Sequence, residues 1–536
     1  MRNCTKNGTK VAAGLLSLLI FFAGCARPSK SVARRGPQIA IDAGTLQGME
    51  SARGEFAFLG IPYAAPPVGP LRWRPPQAPA PWQGVRVATS YGPACPQIPS
   101  PWLPEMLGRK QFPTDEACLY LNVWTDNLAS AAKSPVMVWI HGGGNVEGSQ
   151  EMPPLGPTLA RHGVVVVSIN YRLGALGFLA YPALSAESAQ HSSGNYGLQD
   201  QLEALKWVRR NIDKFGGDPT QVTVFGASSG SLDICNLIAS PLAAGYFQRA
   251  ILQSGVCVDS MFPSLAKAEA EGQRFVRKLG VSEDSQALSK LRALPADRIL
   301  QIASQNNSFS FDAIVDGWFM REQPALTFAR GRQANIPVMV GSNLDEVSIF
   351  ASPIVGGKSS RPETVKEYRK WLSRTFKAHA AEVFAAYPAH TDSDVHRAFL
   401  AMDTDYEFGF GSRLLAHEIA LTGQNAFLYN FNYVGTGKFA ALGAFHSEES
   451  MFLSQKYWTT WSSQPEDAKL SETVIGYWTE FAKTGRPDGQ GLPPWPAYDV
   501  KTDLCQGLGQ TIGQQPVPRA ARFKVFERML NAQLAK

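Results

Sequence analysis

Residues 226–230, which read GASSG, have types and spacing that could carry nucleophilic catalysis. They follow the apolar run VTVF and precede LDICNLIAS, which predicts a tight turn between a strand and a helix. Glycines at both ends let strand and helix approach closely, while the turn exposes the hydroxyl of Ser228. Ser228 is therefore a candidate nucleophile for acyl transfer, although this short pattern alone also arises by chance in a glycine-rich chain.

A second glycine run could stabilise the oxyanion that such a reaction forms. His141 and three glycines directly follow the apolar run VMVWI. We expect the backbone N–H groups of Gly142 and Gly143 to turn inward and to form an oxyanion hole with the N–H of Ser229. Each donor would contribute roughly 3 kcal/mol at the transition state. A flexible glycine turn is the alternative interpretation.

Elements that could position these residues follow from the hydrophobic pattern. Continuous apolar runs at 136–140, 164–169, 222–225 and 336–340 are typical of buried strands in a largely parallel sheet. Residues 198–215 place apolar side chains at intervals of three and four, which predicts an amphipathic helix. Strand, helix and strand in this order indicate a doubly wound α/β sheet. Residues 360–425 are predicted to form a helical cap region over the end of the sheet.

The N-terminus predicts export. Residues 1–24 combine a basic start with a short apolar run and read as a signal peptide, and residues 25–38 read as a basic linker. Small residues directly before Cys25 resemble a lipobox, which predicts a lipoprotein of the bacterial periplasm or outer membrane, tethered to the membrane through acylated Cys25. Cleavage after Ala26 and secretion is the alternative. Residues 39–536 are predicted to form one catalytic domain.

Charge and cysteine content exclude other classes. The net charge of +6 lies in the first 38 residues, which hold seven basic side chains and no acidic one; the rest carries 44 basic against 45 acidic residues. A folded body of this balance gives no support to nucleic-acid binding. No CxxC spacing suggests zinc or redox chemistry. Five cysteines lie beyond Cys25, so at least one stays unpaired within the chain.

Longer segments resemble the type-B carboxylesterase and cholinesterase-like family nearly end to end. They are FLGIPYAAPPVGPLRWRPP from residue 58, EACLYLNVW from 116, HGGGN from 141, NYRLGALGFL from 170, GNYGLQDQLEALKWVRRNIDKFGGDPTQVTVFGASSG from 194, AILQSG from 250, GSNLDE from 341, GAFHSEE from 443 and WPAY from 495. The resemblance implies the α/β-hydrolase fold, with a largely parallel central sheet flanked by helices. It also implies a small-molecule ester substrate and no metal or diffusible cofactor.

Site residues carry over by position from this resemblance. Ser228 is then the nucleophile, Glu346 the triad acid and His446 the general base, in the chain order that this fold requires. Asp345 stands beside Glu346, and neighbouring side chains at a strand end point in opposite directions, so only one can face His446. The resemblance selects Glu346. Four other histidines after Ser228 lie in the predicted helical cap and are expected at surface or packing positions: His379, His390, His396 and His417.

The resemblance implies further residues around this triad. Ser254 would be a partner of the triad acid, and Glu449 would lie near the pocket, although either position could equally be ordinary packing or surface. Cys95 and Cys118 match the disulfide that bounds a family loop. The pairing of Cys235, Cys257 and Cys505 stays open.

Departures from the family pattern bear on function. Ala227 stands where a glutamate usually precedes the serine, which makes the pocket less attractive to cationic substrates, and Asn145 after the glycines is a second departure. We expect a serine carboxylic-ester hydrolase that acts through an acyl-enzyme on small or medium esters. A non-catalytic binding module is the alternative, although the chain keeps Ser228, Glu346 and His446. An amidase or acyltransferase would share the acyl-enzyme and stays open.

Overall fold

A computed structural model describes residues 34–98, 111–305, 309–350, 352, 361–455 and 464–535. Thirteen strands within these ranges form one sheet: β1 Arg34–Ile41, β2 Gly44–Glu50, β3 Phe56–Pro62, β4 Val85–Val87, β5 Tyr120–Thr125, β6 Ser134–Ile140, β7 Val165–Ile169, β8 Gly217–Ala227, β9 Arg249–Gln253, β10 Val338–Asn343, β11 Ala426–Phe431, β12 Leu504–Leu508 and β13 Ile512–Pro516. The predicted signal peptide and most of the predicted linker, including Cys25, lie outside the described residues. Strand β1 begins at Arg34, within the predicted linker.

The order across the sheet is β1-β2-β3-β5-β7-β6-β8-β9-β10-β11-β12-β13, with β4 beside β2. The neighbouring strands β7-β6-β8-β9-β10-β11-β12 are mutually parallel, whereas the pairs toward both edges are mainly antiparallel. The predicted parallel sheet is confirmed, and all four predicted apolar runs overlap strands β6, β7, β8 and β10. Most strands of the antiparallel flanks, such as β1, β2 and β13, carry no continuous apolar run and were not predicted, although β3 contains the apolar run FAFL.

Sixteen α-helices accompany the sheet in the described ranges. They are α1 Gly156–Ala160, α2 Gly174–Phe178, α3 Pro182–Glu187, α4 Tyr196–Asn211, α5 Ser229–Ala239, α6 Leu265–Lys278, α7 Ala287–Ala293, α8 Ala296–Ala303, α9 Pro324–Ala329, α10 Val365–Phe376, α11 Ala380–Ala386, α12 Asp392–Thr404, α13 Phe410–Leu421, α14 Glu448–Ser454, α15 Pro465–Thr484 and α16 Lys524–Leu534. The predicted helix at 198–215 is α4, continued by a 3₁₀ turn over Ile212–Phe215.

The central strands are apolar throughout because both faces of the sheet are covered. Alternate residues of β6 point to opposite sides. Val136 and Val138 join a core that includes the apolar face of α4, whereas Met137 and Trp139 join a second core that includes α15. This two-sided burial fixes the strand ends, and hence the turns that carry the candidate catalytic residues, at one edge of the sheet.

The predicted cap region is helical. It contains α10 to α13 and a π-helix over Asp405–Gly409. These helices build a separate apolar cluster with α16, to which Phe376, Phe399 and Phe526 contribute. Helix α13 also packs on β10 and β11, so the region is attached directly to the sheet.

Candidate active site

Ser228 lies in the sharp turn between β8 and α5. Its backbone has φ 58° and ψ −129°, a conformation that a residue with a side chain rarely adopts. The turn is held by a hydrogen bond from the Ser228 N–H to the Gln253 carbonyl oxygen at 2.8 Å. Surrounding contacts impose this strain, and such strained turns are common at catalytic centres.

Glycines are required on both sides of the serine because α5 approaches β6 closely. A Cβ at Gly226 would lie 2.6 Å from the Ile140 carbonyl oxygen. A Cβ at Gly230 would overlap that same oxygen and lie 2.6 Å from the carbonyl oxygen of His141. The glycine spacing recognised in the sequence therefore has a steric cause, which is the contact between the helix and the end of the neighbouring strand.

The loop after β11 brings His446 to Glu346, 100 residues earlier in the chain. His446 Nδ1 lies 2.6 Å from Glu346 Oε2, and the His446 N–H donates to the Glu346 carbonyl oxygen at 3.1 Å. Glu346 is fully buried and His446 is 9% exposed. A hydrogen bond from Nδ1 to the carboxylate leaves Nε2 of the imidazole available as a proton acceptor.

Asp345 contacts the backbone of the histidine loop, whereas its neighbour Glu346 contacts the His446 ring. Its carboxylate accepts a hydrogen bond from the Ala444 N–H at 3.1 Å, and its own N–H donates to the Ala444 carbonyl oxygen at 2.9 Å. Burial raises the pKa of Asp345. Of the two adjacent acids, Glu346 contacts the His446 ring and Asp345 holds the loop that carries it.

Asn343, at the end of β10, links the acids of the site. Its N–H donates to Glu346 Oε1 at 2.7 Å, and its side-chain amide donates to Glu449 Oε2 at 2.7 Å and to the Phe445 carbonyl oxygen at 2.6 Å. Burial and the nearby Glu346 raise the pKa of Glu449. Sequence analysis missed Asn343, and its signal was a polar residue at the end of a buried strand just before the acidic pair.

Gln253 joins this network to the elbow, which is the turn at residues 226–230 that carries Ser228. Its carbonyl oxygen accepts from Ser228, and its side-chain amide donates to Glu449 Oε1 at 2.8 Å. Trp478 in turn donates to the Gln253 side-chain oxygen at 3.1 Å. The nucleophile turn and the histidine loop are therefore coupled through buried hydrogen bonds.

Ser254 is the residue that the resemblance assigns as a partner of Glu346. Its hydroxyl is buried and has no hydrogen-bond partner among the described residues. One oxygen of the Glu346 carboxylate faces the Asn343 N–H and the other faces His446. Ser254 lies in the loop behind the elbow, where its N–H donates to the Gly341 carbonyl oxygen at 2.9 Å.

The glycine loop supplies N–H groups beside the elbow. An ideal Cβ at Gly142 would lie 2.9 Å from Ser228 Cβ, which places this backbone against the serine. Within the described residues, the N–H groups of Gly142, Gly143 and Ser229 donate to no acceptor, and neither does that of Gly144, which sequence analysis did not consider. Burial lowers the pKa of His141 to about 4, so its ring is neutral at pH 7.

Two aromatic rings flank the candidate base. The rings of Phe350 and Phe408 lie 5.1 and 5.0 Å from that of His446, measured between centroids. Phe350 is 43% exposed. This leaves apolar surface beside the imidazole for a substrate group to contact.

The described part of the chain contains two disulfides. Cys95–Cys118 is the pair that the resemblance implied, and Cys235–Cys257 joins α5 to the segment after β9. Cys505 is free and buried. Disulfides persist in oxidising compartments, which indicates an exported protein.

The described ranges contain no group of three or more histidine, cysteine, aspartate or glutamate side chains that could hold a metal ion. In the same ranges, no helix is both long and apolar enough to cross a bilayer.

One known protein family matches nearly the whole chain. The model of the carboxylesterase family matches residues 35–522. The chain belongs to the carboxylesterase family. This match covers every described element from β1 to the segment before α16.

Relatives of this carboxylesterase are similar along most of their length. Fumonisin B1 esterase of Sphingopyxis macrogoltabida is 37% identical over 501 residues, covering 88% of this chain and 87% of the relative. Carboxylesterase 1C of Rattus norvegicus is 32% identical over 480 residues, with coverage of 85% and 86%.

Solved structures agree on the fold. A thermophilic PNB esterase superimposes with a TM-score of 0.79 at 32% identity, covering 91% of this chain and 99% of that one. A carboxylesterase of Geobacillus stearothermophilus gives a TM-score of 0.77 at 30% identity with the same coverage. The α/β-hydrolase fold expected from the sequence is confirmed, and the protein is a carboxylic ester hydrolase.

Proposed function

We propose that this carboxylesterase hydrolyses small or medium carboxylic esters through an acyl-enzyme on Ser228, with His446 as general base and Glu346 as its orienting acid. The observation that carries the proposal is the 2.6 Å contact between His446 and Glu346, in a loop coupled to the strained Ser228 turn. A base held in this way has one nitrogen free to take a proton from the serine.

The first half-reaction follows from this arrangement. Ser228 Oγ attacks the ester carbonyl carbon as His446 Nε2 accepts the hydroxyl proton, and Glu346 stabilises the imidazolium that results. The tetrahedral oxyanion lies against the N–H groups of Gly142, Gly143 and Ser229. His446 then returns the proton to the alcohol, which leaves as the acyl-enzyme forms. We expect the hydrogen bond between the Ser228 hydroxyl and His446 Nε2 to tighten in the complex with substrate.

Deacylation reverses these roles. His446 removes a proton from water, the resulting nucleophile attacks the acyl carbon, and Ser228 regains its proton from His446 as the carboxylic acid departs. Phe350 and Phe408 favour an apolar group near the base. Since Ala227 places no carboxylate beside the nucleophile, neutral esters are the preferred class.

Export and tethering complete the proposal. Residues 1–24 direct secretion, and acylation of Cys25 holds the catalytic domain at a membrane surface through the segment between Cys25 and the start of β1 at Arg34. The two disulfides support exposure to an oxidising compartment. Mass spectrometry of the mature N-terminus tests the anchor: a diacylglycerol adduct on Cys25 is expected, and an unmodified start beyond residue 25 contradicts it.

The catalytic proposal is tested with p-nitrophenyl esters from acetate to palmitate, hydrolysed by the wild type and by Ser228→Ala. We expect activity on the shorter members and a loss of at least about 10⁴-fold in the variant. Ser231→Ala is a matched control, because Ser231 lies on the same helix and its hydroxyl bonds to the Gly255 carbonyl oxygen. A folded wild type that is inert across the series would contradict the proposal.

A further inference from the structure

Asn145 immediately follows the three glycines and is fully buried. It has a left-handed backbone, with φ 57°. Its N–H donates to the Ser229 hydroxyl oxygen at 3.1 Å, and its carbonyl oxygen accepts from the Gly174 N–H at 2.6 Å. Both backbone groups of Asn145 are therefore fixed, and one of them is tied to the residue directly after the nucleophile.

The side chain of Asn145 is held between the carboxyl groups of Asp233 and Asp312. Nδ2 donates to Asp233 Oδ1 at 3.1 Å and to Asp312 Oδ1 at 2.8 Å. Oδ1 lies 3.1 Å from the hydroxyl oxygen of Tyr171, which is also 2.9 Å from the His141 carbonyl oxygen. One amide thus connects α5, the segment around residue 312 and both ends of the glycine run.

Burying the carboxyl groups of Asp233 and Asp312 costs free energy, because their charged forms lose hydration. Asp233 is fully buried, and burial together with Asp312 raises the pKa of Asp233 to about 8. Burial also raises the pKa of Asp312. Neither carboxylate forms an ion pair within the described part of the chain. A buried polar network of this kind stabilises one arrangement when each member is satisfied, and Asn145 is the member that both acids share.

Two of the residues that Asn145 contacts lie on one face of α5. Asp233 lies four residues after Ser229 on α5, so both side chains are on the same face of that helix. Asn145 contacts this face twice, through its N–H to Ser229 and through its amide to Asp233. These two contacts fix the position of residues 142–144, just before Asn145, relative to the turn that carries Ser228.

We propose that Asn145 is a positioning residue for the oxyanion hole, whose amide, held between Asp233 and Asp312, fixes the N–H groups of the glycine run against Ser228. The inference rests on the proposed function and deepens it. Asn145 does not touch the reacting atoms. Its loss therefore lowers stabilisation of the transition state more than binding of the substrate, so kcat falls while KM changes little.

Asn145→Gly is the main test, because glycine tolerates the left-handed backbone and the change removes the side-chain amide together with its Cβ. We expect kcat on p-nitrophenyl butyrate, per active site titrated by the p-nitrophenolate burst, to fall about 10- to 100-fold, less than loss of a whole donor. KM should stay within about threefold. Asn236→Ala is the matched control. Asn236 is a buried asparagine of α5, the helix that carries Asp233, and its side-chain amide has no partner among the described residues.

A charge swap separates positioning from general packing. Asn145→Asp removes both amide hydrogens and should lower kcat at least as much as Asn145→Gly. The double variant Asn145→Asp/Asp312→Asn restores an amide opposite a carboxylate and should recover about tenfold of that loss. Wild-type kcat per titrated site in Asn145→Gly would overturn the inference, as would a double variant no better than Asn145→Asp. A wild type without burst or turnover would instead refute the proposed function, and this inference with it.

Discussion

Replacing Gly255 by alanine should slow turnover although Gly255 touches no substrate. Gly255 lies after β9, behind the nucleophile turn, and its backbone is not in the left-handed region. A Cβ there would overlap the Ser228 carbonyl oxygen and lie 3.1 Å from the Ser228 carbonyl carbon and 3.3 Å from the Leu232 nitrogen. All three are backbone atoms, so no side chain can rotate away and the turn that carries Ser228 must itself shift.

The size of the effect follows from that overlap. Relieving it requires a displacement on the order of 1 Å, which costs about 10²-fold in kcat when it misplaces a reacting group. Overpacking of this kind costs about 1–3 kcal/mol of stability, which is less than the 5–15 kcal/mol typical of a folded domain. Gly255→Ala should therefore remain folded while turning over slowly.

The assay is kcat on p-nitrophenyl butyrate per titrated site, with a thermal melt on the same preparation. Gly513→Ala is the matched control, because a Cβ at Gly513 in β13 meets nothing within 4 Å. We expect the control to keep the wild-type kcat and Tm. A folded Gly255→Ala protein with wild-type kcat would refute the reasoning that the Ser228 backbone must stay where it is.

Three further predictions concern the acid, a disulfide and a buried carboxyl. Glu346→Gln should lower kcat about 10³- to 10⁴-fold with KM nearly unchanged, because a neutral amide cannot stabilise the imidazolium of His446; a loss below tenfold contradicts this. Removing Cys235–Cys257 by a double alanine change should cost about 3 kcal/mol in urea unfolding, given its separation of 22 residues, and an unchanged midpoint contradicts it. The raised pKa of Asp233, about 8, means that the folded state keeps a proton that the unfolded state releases near pH 4, so stability falls as pH rises from about 4 through 8. Asp233→Asn should reduce that fall by on the order of a few kcal/mol between pH 5.5 and 9, measured by melts at both values; an identical decline in both proteins contradicts it.

The parallel centre of the fold could be predicted because its strands are buried on both faces and so read as unbroken apolar runs. The amphipathic helix α4 was recognisable for the related reason that one face meets the core. The edge strand β13 and its neighbour β12 lack such a run, and β1 begins in a stretch whose basic composition resembles a linker. Their pairing depends on backbone hydrogen bonds, which leave little trace in composition.

The candidate site was predicted where short motifs mark it, at Ser228, the glycine run and the segments around Glu346 and His446. The supporting residues were not. Asn343 and Gln253 act through hydrogen bonds to residues about 100 and 200 positions away, and no local pattern encodes such contacts. The Cys235–Cys257 pair could not be assigned from spacing alone, because three cysteines allow more than one pairing.

The central claim is that Ser228 forms the acyl-enzyme. The most direct measurement is to treat the protein with a p-nitrophenyl phosphonate, which phosphonylates an activated serine, and to locate the adduct by peptide mass spectrometry. We expect one adduct per chain, on Ser228, with loss of esterase activity in proportion, and none in Ser228→Ala. An adduct on Ser229, Ser231 or any other residue, or inactivation of Ser228→Ala at the wild-type rate, would contradict it.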